Sequence, residues 1–214
     1  MLIVVTGGSG SGKSAYAEEQ VMAFGERQRV YVATMFPFDE ESHKRIERHR
    51  RMRAHKKFET LECYTGLARV KLSGTIQAYS AQEEHCPGNR RKTEKPVVLL
   101  ECLSNLTANE MFQEGGAGEN TVEAVLRGVL SLEEQAFALV VVTNEIFSEA
   151  ALYEGDTRRY QNYLGKINQE LARRADRAVE VVYGIPVKLK KDSERLCRLE
   201  ALGGRRDEEI LGEL

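Results

Sequence analysis

Three kinds of feature are missing from this 214-residue chain, and each absence narrows what it does. Nowhere do apolar residues run together for the 18 or more positions that a membrane-spanning helix needs. The first apolar run, Leu2 to Val5, is broken at once by Thr6-Gly7-Gly8, so neither a signal peptide nor a membrane span is expected. Cys63, Cys86, Cys102 and Cys197 stand far apart with no CxxC pair, which argues against a disulfide frame or zinc site and for reduced thiols in the cytoplasm. An excess of one charge is missing too: 31 Lys and Arg face 33 Asp and Glu, a formal net charge of −2. Such a balance exerts no overall pull on nucleic acid or an anionic membrane. The basic run Arg48 to Lys57 has no interleaved aromatic platform, which further disfavours nucleic acid as a partner. Internal repeats are absent as well.

What is present is a recurrence of short β-rich runs separated by longer helical patterns. Leu2–Val5, Val30–Thr34, Val97–Glu101, Leu139–Thr143 and Ala178–Val182 are nearly continuous in apolar residues, as strands buried on both faces of a parallel sheet must be. Lys13 to Phe24 and Thr157 to Ala175 read as helices; in the second, Tyr160, Tyr163, Leu164, Ile167 and Leu171 recur at helical spacing. The expected fold is α/β, a mostly parallel sheet covered by helices on both faces. One domain over 1–190 is expected, followed by a charged tail over 191–214. Ser80 to Lys95 is polar and carries Pro87, Gly88 and Asn89, so it reads as an exposed excursion, and Gly115 to Gly118 as a loop.

The sharpest motif follows the first strand. Gly7, Gly8, Ser9, Gly10, Ser11, Gly12, Lys13 and Ser14 satisfy GxxxxGK[ST] between a strand and a helix. Glycines let backbone N–H groups curl around phosphate oxygens, the helix N-terminus adds positive potential, and Lys13 supplies a full charge. Ser14 would place a hydroxyl on Mg²⁺, so ATP or GTP with Mg²⁺ is the expected ligand. A carboxylate at a neighbouring strand end should complete the metal site; Glu101 and Glu145 both qualify by position.

Asp39 to Arg53 begins acidic and ends basic, which suits a solvated helix with its dipole matched. Helical spacing nevertheless puts Ile46, His49, Arg50 and Arg53 on one side, a histidine among cations that would keep it neutral and nucleophilic. Spacing alone leaves both readings open, and His43, His55 and His85 have weaker cases.

The phosphate loop, Tyr31 to Thr34, Arg45 to Arg50 with Arg53, Leu99 to Cys102, Thr143 to Glu145, and Gly165 to Gln169 through Gly184 to Pro186 occur in an order that resembles the bifunctional adenosylcobinamide kinase and adenosylcobinamide-phosphate guanylyltransferase family. The resemblance spans residues 1 to about 190 and implies a P-loop NTPase fold. It implies phosphorylation of the aminopropanol hydroxyl of adenosylcobinamide, then transfer of GMP from GTP through a guanylylated histidine, which matches His49. By position in the matching segments it implies nucleotide contacts at Gly7–Ser14, at Ala33, Thr34 and Met35, at Arg50, Arg51, Met52 and Arg53, and at Glu62 and Glu101. Lys13 and His49 would be catalytic; Ser14 and Glu101 would hold Mg²⁺. Nucleotide and corrinoid are the implied partners, with a homo-oligomer, a trimer, as the implied assembly. The chain departs from the family pattern at Ile146–Gly155, at Met35, and in the apparent insertion Ser80–Lys95. A P-loop kinase of another small molecule, or a nucleotide-binding regulator, are the other functions that the phosphate loop allows.

Overall fold

A computed structural model describes residues 1–72, 95–147, 154–190, 192–194 and 197; the side chains of Arg45, His49 and Met52 lie outside that description. Most of the expected excursion Ser80–Lys95, with His85 and Cys86, and nearly all of the tail also lie outside it.

The strands are β1 (Leu2–Thr6), β2 (Arg29–Ala33), β3 (Phe58–Glu62), β4 (Val97–Glu101), β5 (Ala138–Val142), β6 (Arg177–Val182) and β7 (Ile185–Lys188). The helices are α1 (Lys13–Met22), α2 (Glu40–Arg53), α3 (Leu103–Phe112), α4 (Thr121–Gln135) and α5 (Gly155–Arg174), with short 3₁₀ turns at Leu67–Arg69 and Gly118–Asn120. The strands form one seven-stranded sheet in the order β3-β2-β4-β5-β1-β6-β7. All neighbours run parallel except β6 and β7, which form an antiparallel hairpin.

The continuous apolar runs become strands because each face of the sheet has its own cover. Leu2 and Val4 point to one side, with Leu103 and Leu106 of α3, Val125, Val129 and Leu132 of α4, and Ile167 and Leu171 of α5. Ile3 and Val5 point to the other, with Ala17 and Val21 of α1. The alternation is the period-two geometry of a strand, and burial on both sides removes the need for polar residues between. Each such side chain, fully buried, contributes about 1.5–3 kcal/mol.

The five expected strands are present, with ends displaced by a residue at several of them. Two more were not anticipated, and each has a reason. Phe58–Glu62 carries three polar residues in five because β3 is an edge strand, paired only with β2. Ile185–Lys188 is exposed along its whole length and contains Pro186; the opposite edge tolerates a missing N–H donor.

Chain order and sheet order together position the site. The chain leaves β1 for β2 across two strands, later returns through β4 and β5, and then passes over β1 to β6. Carboxyl ends of β1, β2 and β4 therefore gather beside a crevice, the place where open α/β sheets bind ligands.

Candidate active site

The phosphate loop turns tightly between β1 and α1. Gly12 is the N-cap of α1 with φ 92, and a Cβ there would stand 3.3 Å from Gly184 Cα in the β6–β7 turn. A side chain would meet both backbone strain and that neighbour. The turn is bonded to the loop, Gly184 N–H donating to Ser11 O at 2.8 Å. Lys13 Nζ donates to Gly8 O at 3.0 Å across the loop it would serve.

Ser14, at the start of α1, donates its hydroxyl to Glu101 Oε1 at 2.5 Å. Glu101 ends β4 and is buried, and its Oε2 accepts from the Tyr31 hydroxyl at 3.2 Å. Burial, and then the Glu101 charge, push the Tyr31 hydroxyl well above its ordinary pKa, so it stays a donor. Of the two candidate carboxylates, Glu101 is the one bonded to Ser14. Glu145 instead bonds through its backbone N–H to Gly7 O at 3.1 Å, and its side chain accepts from Phe147 N at 2.8 Å.

Helix α2 lines the crevice with Ile46, Arg50 and Arg53. It starts with a reciprocal cap in which Ser42 N donates to Asp39 Oδ1 at 2.7 Å and Asp39 N to Ser42 Oγ at 3.0 Å. Its last turn carries Arg50, Arg51 and Arg53. Arg50 pairs with Glu62 at 2.9 Å, and Glu62 also accepts from the Tyr64 hydroxyl at 2.8 Å. Burial and that bond raise the Tyr64 pKa to about 12. Arg51 turns outward to Glu47, and its side chain is exposed.

Arg53 is the informative residue. Only 5 % exposed, it lays its guanidinium carbon 3.4 Å from the centroid of the Tyr31 ring. Its Nη1 is buried and has no hydrogen-bond partner among the described residues. Such an orphan costs about 1–3 kcal/mol, and a charged group more, unless an acceptor reaches it.

These groups share one pocket. Tyr31, Ala33, Met35, Ile46, Arg50, Arg53, Glu62, Tyr64, Glu101 and Asn105 line it together. Of the positions at which the resemblance implied nucleotide contacts, Ala33, Met35, Arg50, Arg53, Glu62 and Glu101 line this pocket together. The structure does not bring Thr34 in: that side chain is buried, its hydroxyl is bonded to the backbone of Cys102 at 2.7 Å, and its carbonyl accepts from Asn109 at 2.8 Å. Thr34 fastens β2 to the end of β4. The position of His49 on α2, one turn before Arg53, is described; its side chain and that of Met52 are outside the described residues.

Tyr64 and Asn105 were not singled out from sequence, and Tyr31 was quoted there only as the start of a motif. A tyrosine inside a buried strand does carry a signal, since its hydroxyl must find a partner. Asn105 carries none before α3 is placed.

Among the described residues no group of three or more His, Cys, Asp or Glu is arranged to hold a metal ion, and no helix is long and apolar enough to cross a membrane. The oxygen pair Ser14–Glu101 still fits Mg²⁺, which takes one or two protein oxygens and fills its shell from water and phosphate.

Several known proteins are similar to this chain. The family model described as cobinamide kinase / cobinamide phosphate guanyltransferase matches residues 3–189. A "bifunctional adenosylcobalamin biosynthesis protein CobU" of Escherichia coli strain K12 is 31% identical over 202 residues, 89% of this chain and 100% of that one. Its counterpart in Salmonella typhimurium is 32% identical over 203 residues, with 89% and 100% covered. Among solved structures, the flagellar accessory protein FlaH of Methanocaldococcus jannaschii is similar at TM-score 0.41 and 12% identity, covering 89% of this chain and 78% of that one. The KaiC-like protein PH0186 of Pyrococcus horikoshii is similar at TM-score 0.45 and 13% identity, covering 84% and 71%.

Proposed function

The chain belongs to the cobinamide kinase / cobinamide phosphate guanyltransferase family, and on that premise we propose how its residues divide the work of the two reactions. The activity is that of a transferase in cobalamin synthesis: adenosylcobinamide is phosphorylated, and its phosphate then receives GMP from GTP. The observation that carries the division is the buried Arg53 Nη1, which has no partner among the described residues and lies in the same pocket as the carboxylate bonded to the phosphate-loop serine.

In the kinase step, the backbone of Gly7–Ser14 and Lys13 hold the β- and γ-phosphates of ATP or GTP and stabilise charge as the acceptor hydroxyl attacks in line. Ser14 and Glu101 would hold Mg²⁺, whose charge would offset that of the phosphates. In the transferase step, a neutral ring nitrogen of His49 attacks the α-phosphorus of GTP. A P–N bond forms as the bond to the bridging oxygen breaks, and pyrophosphate leaves. A phosphate oxygen of the acceptor then attacks the same phosphorus, forming P–O as P–N breaks and restoring the imidazole. Arg50 and Arg53 neutralise charge on the phosphorus oxygens, and guanidinium suits that because its planar donors match phosphate geometry. Glu62 and Glu101, acceptors when ionised, face the nucleotide from the sheet side.

The same reading takes 1–190 as the catalytic domain with 191–214 as a tail, the cytoplasm as the compartment, and a homotrimer as the working assembly. Incubation with Mg²⁺ and GTP labelled at the α-phosphate tests the covalent step. Acid-labile, alkali-stable label on the wild type, absent from His49→Ala, is expected. Folded, GTP-binding wild type that takes no label removes His49 from the mechanism and leaves a P-loop kinase.

A further inference from the structure

The segment between β2 and α2 places two phenylalanines where they do little for the fold. Phe38 is 71 % exposed and Phe36 is at the margin of exposure. They pack on each other with centroids 4.7 Å apart, and Phe36 meets the Tyr64 ring edge-on at 5.1 Å. The result is a three-ring apolar surface held in the open, which water penalises unless something covers it. Beside it runs a groove of about 250 Å³ walled by Met35, Phe36, Phe38, Asn105 and Ala108.

Two features say what covers it. Met35 and Asn105 line both this groove and the nucleotide pocket, and Tyr64 joins the rings to Glu62 and Arg50, so the two spaces share a wall. A molecule lying in the groove can therefore extend an arm toward the reacting phosphates. The groove's other flank is acidic, with Asp39 and Glu41 at the start of α2. Carboxylates repel a second nucleotide or any phosphate, and they accept hydrogen bonds from amides.

We propose that the Phe36–Phe38–Tyr64 surface and its adjoining groove form the docking site for the corrinoid acceptor, a flat macrocycle edged with methyl groups and primary amides. The proposal rests on the function assigned above and adds the acceptor site to it. Methyl edges meet the rings, amide N–H groups meet the acidic flank and Ser42, and the hydroxyl-bearing arm enters across Met35 and Asn105.

The test measures retention of adenosylcobinamide by equilibrium dialysis, read by its visible absorbance, alongside binding of a fluorescent GTP analogue. Phe38→Ser is solvent-facing and leaves the fold in place; Phe36→Ser/Phe38→Ser removes the platform; Phe38→Tyr keeps it. Loss of a covered phenyl ring lowers corrinoid affinity about tenfold or more in the serine variants, with GTP binding unchanged and Phe38→Tyr close to wild type. Equal corrinoid retention by wild type and the double variant overturns the docking site alone, as does a parallel fall in GTP binding. Wild type that binds GTP and retains no corrinoid overturns the acceptor assignment on which the proposal rests.

Discussion

Lys56→Met should destabilise the protein far more than a substitution of a part-exposed lysine ordinarily does. Lys56 lies three residues beyond α2 and reaches Glu18 of α1 with Nζ–Oε2 at 2.5 Å. The Glu18 side chain has no exposed surface, Lys56 retains 20%, and Glu18 Oε1 has no hydrogen-bond partner among the described residues. Removing one member of a buried pair leaves an uncompensated charge and costs about 3–5 kcal/mol; with one partner reaching water, the lower end applies, about 3. At roughly 2–4 °C per kcal/mol for a chain of this size, the melting midpoint should fall by about 6–12 °C. Urea titration followed by circular dichroism measures the free energy directly. Replacing both partners, Glu18→Leu/Lys56→Met, should recover most of the loss, because no charge is then left buried. Because α1 starts at the phosphate loop and Lys56 follows the arginine turn, saturating GTP should also stabilise the single variant less than the wild type. A single-variant loss below about 1 kcal/mol would refute the reasoning, since it would mean that Glu18 finds water or another donor when Lys56 is gone.

Three further outcomes follow from the site. Tyr31→Phe keeps the ring beneath Arg53 and removes a donor to the buried Glu101, so GTP turnover should fall roughly tenfold and stability by about 1–3 kcal/mol, measured by steady-state kinetics beside calorimetry. Arg53→Lys should weaken GTP binding by about tenfold or more in isothermal titration, because an ammonium keeps the charge and loses the planar stack on Tyr31. Asp192 is held well below the usual carboxylate pKa, first by its bond to Arg177 and then by Lys188. A depressed folded-state pKa stabilises fully above the ordinary value of about 3.9 and is lost as pH falls below it; unfolding midpoints taken from pH 6 down to pH 2 should therefore drop less steeply in Asp192→Asn.

The phosphate-loop motif was legible because it is local: eight consecutive residues contain it, and the strand before it and the helix after it are contiguous in the chain. Helix α2 was legible for the same reason, its Asp39–Ser42 cap and basic last turn lying within one segment. Edge strands β3 and β7 were missed because an edge buries less and so leaves a weaker apolar pattern. The resemblance implied nucleotide contacts at both Thr34 and Met35. Just beyond the end of β2 the two diverge, Met35 lining the pocket and Thr34 turning inward to Cys102.

Sequence by itself determined the fold class, the nucleotide chemistry and the family, since strand burial and phosphate binding are written in short contiguous runs. Only the tertiary structure decided that Glu101 rather than Glu145 meets Ser14, that Arg53 is buried with Nη1 unpaired among the described residues, and that the Tyr31 ring lies against Arg53 while its hydroxyl meets Glu101. Ser14 and Glu101 are 87 residues apart, and what joins them is the order of parallel strands, a property of long-range pairing that no local window of residues contains.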